Sequence, residues 1–415
     1  MNDANLNSRQ IALNILSQVL HKKQNLDDEF DKQSICLDNR DKAFTRMLIT
    51  TCLRRMGQID TTLNQLIEKK LPPKAQKIQD ILRLAVCQIL FMQVPAHAAV
   101  STAVDLAKEQ KLDFYAKLVN GVLRTCCRNI ENFKNIPETL NTPKWLLDSW
   151  VEAYGKKTAQ NIAIANLTQP ATFISVKESP CFWAEKLNGK INENDSIELP
   201  ENVYIPELEG FSQGAWWVQD AAAAIPALLF DDLKGKKVAD FCAAPGGKTA
   251  SLITRGAKVD AFDISEKRME RTKENLKRLG YEANLFVQDA NKIEGKNIYD
   301  AILIDAPCSA TGTIRRHPDL YFHRTYEDVQ KLNQAQLKLL HTAHRLVRPN
   351  GQVVYCTCSL QQEEGEKIIE QIHDLFKICP IKNPKLKKYV TKEGFIRTFP
   401  FQNKDGFFMA LLQKI

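Results

Sequence analysis

From Val238 onward, short apolar runs ending in Asp or Cys alternate with amphipathic stretches of helical period, and few architectures accept such a pattern. The apolar runs fall at 238–241, 259–263, 283–289, 300–305 and 352–356, with helical stretches at 265–279 and 326–347. Parallel strands joined by crossover helices are covered on both faces, so 231–415 is predicted as an α/β domain with a mostly parallel, Rossmann-like sheet. Ligands of such sheets collect outside the carboxyl ends of the strands, which directs attention to the residues that close each run.

The turn after the first run is Asp240-Phe241-Cys242-Ala243-Ala244-Pro245-Gly246-Gly247-Lys248-Thr249, where paired glycines let backbone approach a ligand that a side chain would block. Asp263 closes the second run, where a carboxylate can take both ribose hydroxyls, and Asp289 closes the third, within reach of an adenine edge. This suits an adenosine cofactor. Gly247-Lys248-Thr249 followed by Ile302-Leu303-Ile304-Asp305 also matches a phosphate loop with a magnesium-holding strand, so a nucleotide hydrolase is the rival class. That loop requires glycine where Cys242 stands, and the rival leaves Asp263 without a task.

Two further runs end at thiols, in Asp305-Ala306-Pro307-Cys308-Ser309 and Tyr355-Cys356-Thr357-Cys358-Ser359. A thiolate adding to C6 of a cytosine makes C5 nucleophilic enough to accept a methyl group; a base then removes the C5 proton and the thiol is eliminated. Spacing alone does not say which sulfur does what. The i, i+2 spacing of Cys356 and Cys358 also admits zinc, but no second pair or histidine cluster completes four ligands, and no metal is expected. Most of the other cysteines read as small buried hydrophobes.

The first 140 residues look different. Apolar positions recur at helical spacing, as in Ile11, Ile15, Leu16, Val19 and again in Ile81, Leu84, Ala85, Ile89, with breaks at Pro72-Pro73 and Pro95. An all-helical bundle is predicted over 1–140 and a small α+β linking subdomain over 141–230, in keeping with a 415-residue chain of two or three domains. The charge of +8 is concentrated at the N-terminus, where the first 140 residues carry 20 basic against 15 acidic side chains. An excess of that size fits contact with a polyanion or an ordinary solvated surface. Eleven cysteines, an odd number without a disulfide-like spacing, point to a reducing compartment. The richest apolar stretch, 84–100, is interrupted by Gln88, Gln93, Pro95 and His97, so no membrane span is expected and the cytoplasm is the expected location.

The motifs at 240–249, at Asp305-Ala306-Pro307-Cys308-Ser309-Ala310-Thr311-Gly312 and at Thr357-Cys358-Ser359 resemble those of the RNA cytosine-C5 methyltransferases. The helical region, through Val94-Pro95-Ala96-His97-Ala98-Ala99-Val100 and Leu118-Val119-Asn120-Gly121-Val122-Leu123-Arg124, is similar to the antitermination factor NusB. Their combination resembles the bacterial branch that modifies 16S ribosomal RNA. The resemblance implies S-adenosylmethionine lying against Cys242, Ala243, Ala244, Pro245, Gly246, Gly247 and Lys248, with Asp263 on its ribose, Asp289 near its adenine and Asp305 between donor and cytosine. It implies Cys358 as nucleophile, Cys308 as the thiol that assists release, and a cytosine at position 967 of 16S ribosomal RNA as target. A monomer acting on RNA rather than DNA is expected. Transfer RNA as substrate, and a non-catalytic RNA-binding assembly factor, are the other readings of the same likeness. Phosphate contacts are expected of Arg9, Arg46, Arg54, Arg55, Arg124 and Arg128 in the bundle and of Arg315, Arg316 and His317, the alternatives being protein docking for the bundle and a solvated basic turn for the triplet.

Overall fold

The computed structural model describes residues 3–69, 71–201 and 203–415. The chain forms two compact units, one running to Thr168 and including Ile314–Arg324, the other comprising Gln169–Thr313 and Thr325–Ile415.

The first unit is helical. Its main helices are Asp3–Lys22, Leu26–Gln33, Asn39–Arg54, Met56–Leu66, Gln76–Phe91, Ala96–Glu109 and Ala116–Arg128. Side chains start several of them: Asn25 accepts the N–H groups of Asp27 and Asp28, and Asp38 accepts that of Asp41. The predicted apolar stripe, including Ile15, Leu16, Val19, Ile81 and Leu84, is buried in one core, each such side chain stabilising the fold by roughly 1.5–3 kcal/mol.

The polar stretch from Asn129 to Thr142, which by its composition reads as a linker, is not a solvated tether. Asn141 is buried, its Oδ1 accepting the Gln58 N–H at 3.0 Å and its Nδ2 donating to Gln58 Oε1 at 2.9 Å. Helices Lys144–Tyr154 and Lys156–Ala165 follow, burying Leu146, Trp150 and Ile162 in the same unit. The span 141–230 is therefore divided at Thr168, because these two helices have an apolar face to cover and cover it in the helical unit. Ile314–Arg324 joins them there. Arg54 donates to the Arg315 carbonyl at 3.1 Å (Nε) and 2.5 Å (Nη2), Leu26 N–H reaches Asp319 Oδ2 at 3.3 Å, and the Tyr321 hydroxyl accepts from Asn166 at 3.2 Å.

The second unit begins with a small antiparallel sheet of β1 (Phe173–Val176), β2 (Lys190–Ile191), β3 (Ile197–Glu198) and β4 (Trp216–Val218), in the order β2-β3-β1-β4. The large sheet contains β5 (Lys237–Phe241), β6 (Lys258–Asp263), β7 (Asn284–Val287), β8 (Tyr299–Asp305), β9 (Val347–Thr357), β10 (Phe376–Ile378), β11 (Ile396–Thr398) and β12 (Phe407–Lys414). Its order is β10-β12-β9-β8-β5-β6-β7, with β11 pairing β12. Strands β5 to β9 are parallel, as the alternating pattern requires, and β12 runs antiparallel against β9. The chain moves outward from β5 through β6 to β7 and then returns to the other side of β5 with β8. The order therefore reverses between β5 and β8, the place where such sheets open a crevice. Among the described residues no helix is long and apolar enough to cross a membrane.

Candidate active site

The strand ends at this reversal carry most of the residues singled out above. Directly after β5, Cys242 takes a positive φ of 61°, and Gly246, at φ 95°, closes the turn with its N–H on the Ala243 carbonyl at 2.8 Å. That φ is open to glycine at little cost, and it starts the helix Gly247–Thr254. Asp263, at the end of β6, is buried and holds the turn: Oδ2 accepts the Ala244 N–H at 3.2 Å and Oδ1 accepts the Ser265 N–H at 3.0 Å. Each oxygen retains a second lone pair. Asp289 caps its own turn, accepting the N–H of Asn291 at 2.9 Å. At the end of β8, Asp305 Oδ2 accepts from Lys248 Nζ at 2.7 Å. Burial opposes the Lys248 charge, and Asp305 more than offsets it, so the ammonium is held above the usual lysine range. Behind the turn, the carboxyl of Asp240 is fully buried and accepts from Thr249 Oγ1 at 2.6 Å; burial pushes its pKa up to about 7.

Strands β8 and β9 are parallel neighbours with Asp305 beside Cys356, so the loops that follow emerge side by side. Cys308 and Cys358 consequently meet with their Sγ atoms 3.4 Å apart, both half-buried. The contact with the Cys358 sulfur and burial raise the Cys308 pKa well above that of a free thiol, with the charges of Cys358 and Glu364 adding to the effect. Burial, with Asp305 and Asp263 nearby, pushes Cys242 up to about 12, and burial likewise raises the packed thiol of Cys356 well above the usual range. The close approach of the loops depends on Gly312, whose N–H donates to the Cys358 carbonyl at 2.9 Å; a Cβ there would stand 1.9 Å from the Gly406 carbonyl oxygen.

Cys242, Asp263, Asp289, Asp305, Cys308 and Cys358 all line one cavity of about 410 Å³. Ala243, Ala244, Pro245, Gly246 and Gly247 form the turn beside it without lining it, and Lys248 is engaged with Asp305. A more open hollow of about 820 Å³ beside Lys258, Lys277 and Tyr281 contains none of these groups. The smaller cavity has the size of a small-molecule site. With carboxylates at the end of β6 and after β7 and the apolar side chains of Phe262, Ile264 and Leu339 around it, its walls offer a polar and an apolar side to a ligand such as an adenosine.

The profile of the 16S rRNA methyltransferase RsmB/F family matches residues 227–413, and that of the NusB family matches 6–128. Ribosomal RNA small subunit methyltransferase B of Klebsiella pneumoniae subsp. pneumoniae is 33% identical, over 88% of this chain and 89% of its own. The chain belongs to the ribosomal RNA small subunit methyltransferase B family. The Cronobacter sakazakii member is 31% identical, with 99% of both chains aligned. Among solved structures, that of PH0851 superposes with a TM-score of 0.77 at 26% identity, covering 98% of this chain and 99% of its own. The structure of NSun6 from Pyrococcus horikoshii with SFG shares the fold, at 20% identity and a TM-score of 0.58 over 66% of this chain and 98% of its own.

In this chain several basic side chains lie elsewhere than expected. Arg9 and Arg54 are buried, Arg9 on Gln88 Oε1 at 2.8 Å and Arg54 on the Arg315 carbonyl. Arg46 pairs with Asp27, Arg55 with Glu138 at 3.2 Å, and only Arg124 and Arg128 of the six are exposed. Arg315 is buried and His317 Nδ1 lies 3.1 Å from Asp27, so the triplet is not a solvated turn. The partners stand far away in sequence, which helical spacing does not report. Sequence reasoning also passes over Arg268, 3.6 Å from Asp263 in the cavity wall, and Glu364, in the polar run Gln361-Gln362-Glu363-Glu364.

Proposed function

We propose that this methyltransferase moves a methyl group from S-adenosylmethionine to C5 of a cytosine in 16S ribosomal RNA, at position 967, through a transient bond between Cys358 and C6. The reading is carried by one observation, the two thiols 3.4 Å apart in the wall of a cavity that Asp263 also lines. S-adenosylmethionine, held along the turn 242–248 by Asp263, Asp289 and Asp305, supplies an electrophilic methyl group.

The protein's own groups do the rest. Cys358 as thiolate forms the Sγ–C6 bond, and the electron pair of the C5–C6 double bond becomes available at C5. After alkylation, loss of the C5 proton to a base restores the double bond and the Sγ–C6 bond breaks, its electron pair returning to sulfur. Cys308, kept as a thiol by its raised pKa, can donate its S–H to the departing thiolate. Asp305, anchored by Lys248, is the carboxylate facing the reacting base and can accept from the cytosine amine. Delivering a base to such a pocket requires splaying it from its stack, so an unpaired RNA segment, not duplex DNA, is the substrate. The protein acts as a cytoplasmic monomer, its NusB-like part adding RNA surface and the segment from Gln169 leading into the catalytic part at 231–415.

Cys358→Ala should abolish transfer to unmodified 16S ribosomal RNA, while Cys308→Ala should accumulate a protein–RNA adduct that survives a denaturing gel. Unchanged turnover in Cys358→Ala would overturn the mechanism. Mapping 5-methylcytosine in ribosomal and transfer RNA from cells with and without the gene tests the target.

A further inference from the structure

Glu364 is a carboxylate with no exposed surface, six residues after Cys358, in the turn Gln362–Glu364. Oε1 accepts the Ser309 backbone N–H at 2.8 Å and the Gln336 carboxamide at 3.2 Å, while Oε2 accepts the Ser309 hydroxyl at 2.5 Å. The network continues into both thiol loops. Ser309 Oγ lies 3.1 Å from Ser359 Oγ, Thr311 Oγ1 accepts the Leu360 N–H at 3.0 Å, and Gln336 also donates to the Pro307 carbonyl at 2.9 Å. Pro307 and Ser309 flank Cys308, and Ser359 follows Cys358. The Glu364 backbone carbonyl in turn accepts the hydroxyls of Tyr355 at 3.0 Å and Thr357 at 3.1 Å, at the end of the strand that carries Cys358.

A buried carboxylate is costly to keep unless every oxygen is served, and here the donors that serve it come from the backbone and side chains that fix the two sulfurs. We propose that Glu364 is a positioning residue for the reaction, locking the Cys308 loop to the Cys358 loop and so setting the sulfur-to-sulfur approach on which product release depends. The inference rests on the division of labour between the thiols proposed above. It has an electrostatic corollary: the Glu364 charge is among the influences that hold the proton on Cys308.

Glu364→Gln keeps the shape and turns one acceptor oxygen into an NH2 that faces donors. Displacing a reacting group by a fraction of an ångström to an ångström costs roughly tenfold to a hundredfold in rate. With the full chain, S-adenosylmethionine and unmodified 16S ribosomal RNA, Glu364→Gln should still form the adduct but release it at least about tenfold more slowly. Donor affinity by calorimetry should stay within about twofold, because Glu364 does not line the cavity. Removing the charge lowers the Cys308 pKa, so the alkaline limb of the release rate should move to lower pH; Glu364→Asp, which keeps the charge, should leave the limb in place. A role in folding alone would not move it. Ser309→Ala, which removes one arm of the network and keeps the carboxylate, should slow release in the same sense and decides the matter if Glu364→Gln does not fold. Release at the wild-type rate in either folded variant, or an unmoved alkaline limb in Glu364→Gln, overturns the proposal. If the adduct still depends on Cys358, the thiol mechanism survives that result; if Cys358→Ala retains turnover, both fall.

Discussion

The helical unit and the thiol loops bury opposite kinds of groups. In the bundle the interior is aliphatic, with Ile15, Leu16, Leu48 and Ile81 packed on one another, and its stability comes from removing apolar surface from water. Around Cys308 and Cys358 the interior is polar: Ser309, Thr311, Ser359, Gln336 and Glu364 are all buried, bonded to each other across two loops. Hydrophobic contact is non-directional and tolerates small shifts, whereas a network of this kind fails when one member moves. A polar interior is the costlier way to build, and it occurs where two sulfurs have to be held within contact of each other.

The sharpest way to break this contrast is to damage the aliphatic side. Leu16→Ala, at a position with no exposed surface, should cost about 2–5 kcal/mol in chemical denaturation of the full chain. Donor affinity of the fraction still folded should be unchanged; a parallel loss of affinity would mean that the bundle and cavity are energetically one body.

A smaller effect is expected from the buried polar side. The Asp240 carboxyl is raised from 3.8 to about 7, so between those values the folded chain binds a proton that the unfolded chain has released. Stability should therefore fall as pH climbs through that window, by a few kcal/mol at most, since a tenfold change in proton affinity corresponds to about 1.4 kcal/mol. Asp240→Asn, which can still accept from Thr249, should flatten this slope and gain on the wild type above pH 7. Equal slopes for the two proteins across urea titrations at several pH values would remove Asp240 from the account.

The least perturbing test concerns the outer surface. Arg124 is exposed and lines, with His97, Lys108 and Lys117, a groove of about 600 Å³ between the helices Ala96–Glu109 and Ala116–Arg128. If this groove follows an RNA backbone, Arg124→Ala should weaken RNA binding uniformly across sequences and reduce the slope of log affinity against log salt by about one. An unaltered slope assigns the groove to something other than phosphate.

The same contrast governs how much of the molecule is legible in its sequence. Strand ends stand out because few local structures besides a buried strand opening into a tight loop suit an apolar run that closes on Asp or Cys; Asp263, Asp305, Cys308 and Cys358 are found this way. Phe407–Lys414 does not stand out, because an uninterrupted apolar stretch beside β9 lacks the alternation that marks a strand exposed on one face. Arg54 looks like surface charge because its partner, the Arg315 carbonyl, is 261 positions away. Asn141 looks like linker for the same reason, its partner Gln58 being 83 positions away. Glu364 belongs with these, an acidic residue among polar neighbours whose partners Ser309 and Gln336 stand 55 and 28 positions away.

The residence of Ile314–Arg324 among the helices has a practical consequence for anyone cutting this gene. A fragment starting at Gln169 would carry that stretch away from Arg54, Leu26 and Asn166, exposing Tyr321 and stripping Asp319 and the Arg315 carbonyl of the groups that satisfy them. The bundle made by itself would be left with a corresponding bare seam. The chain passes between the two parts three times, after Thr168, Thr313 and Arg324, so neither is a module to be excised and reused at will.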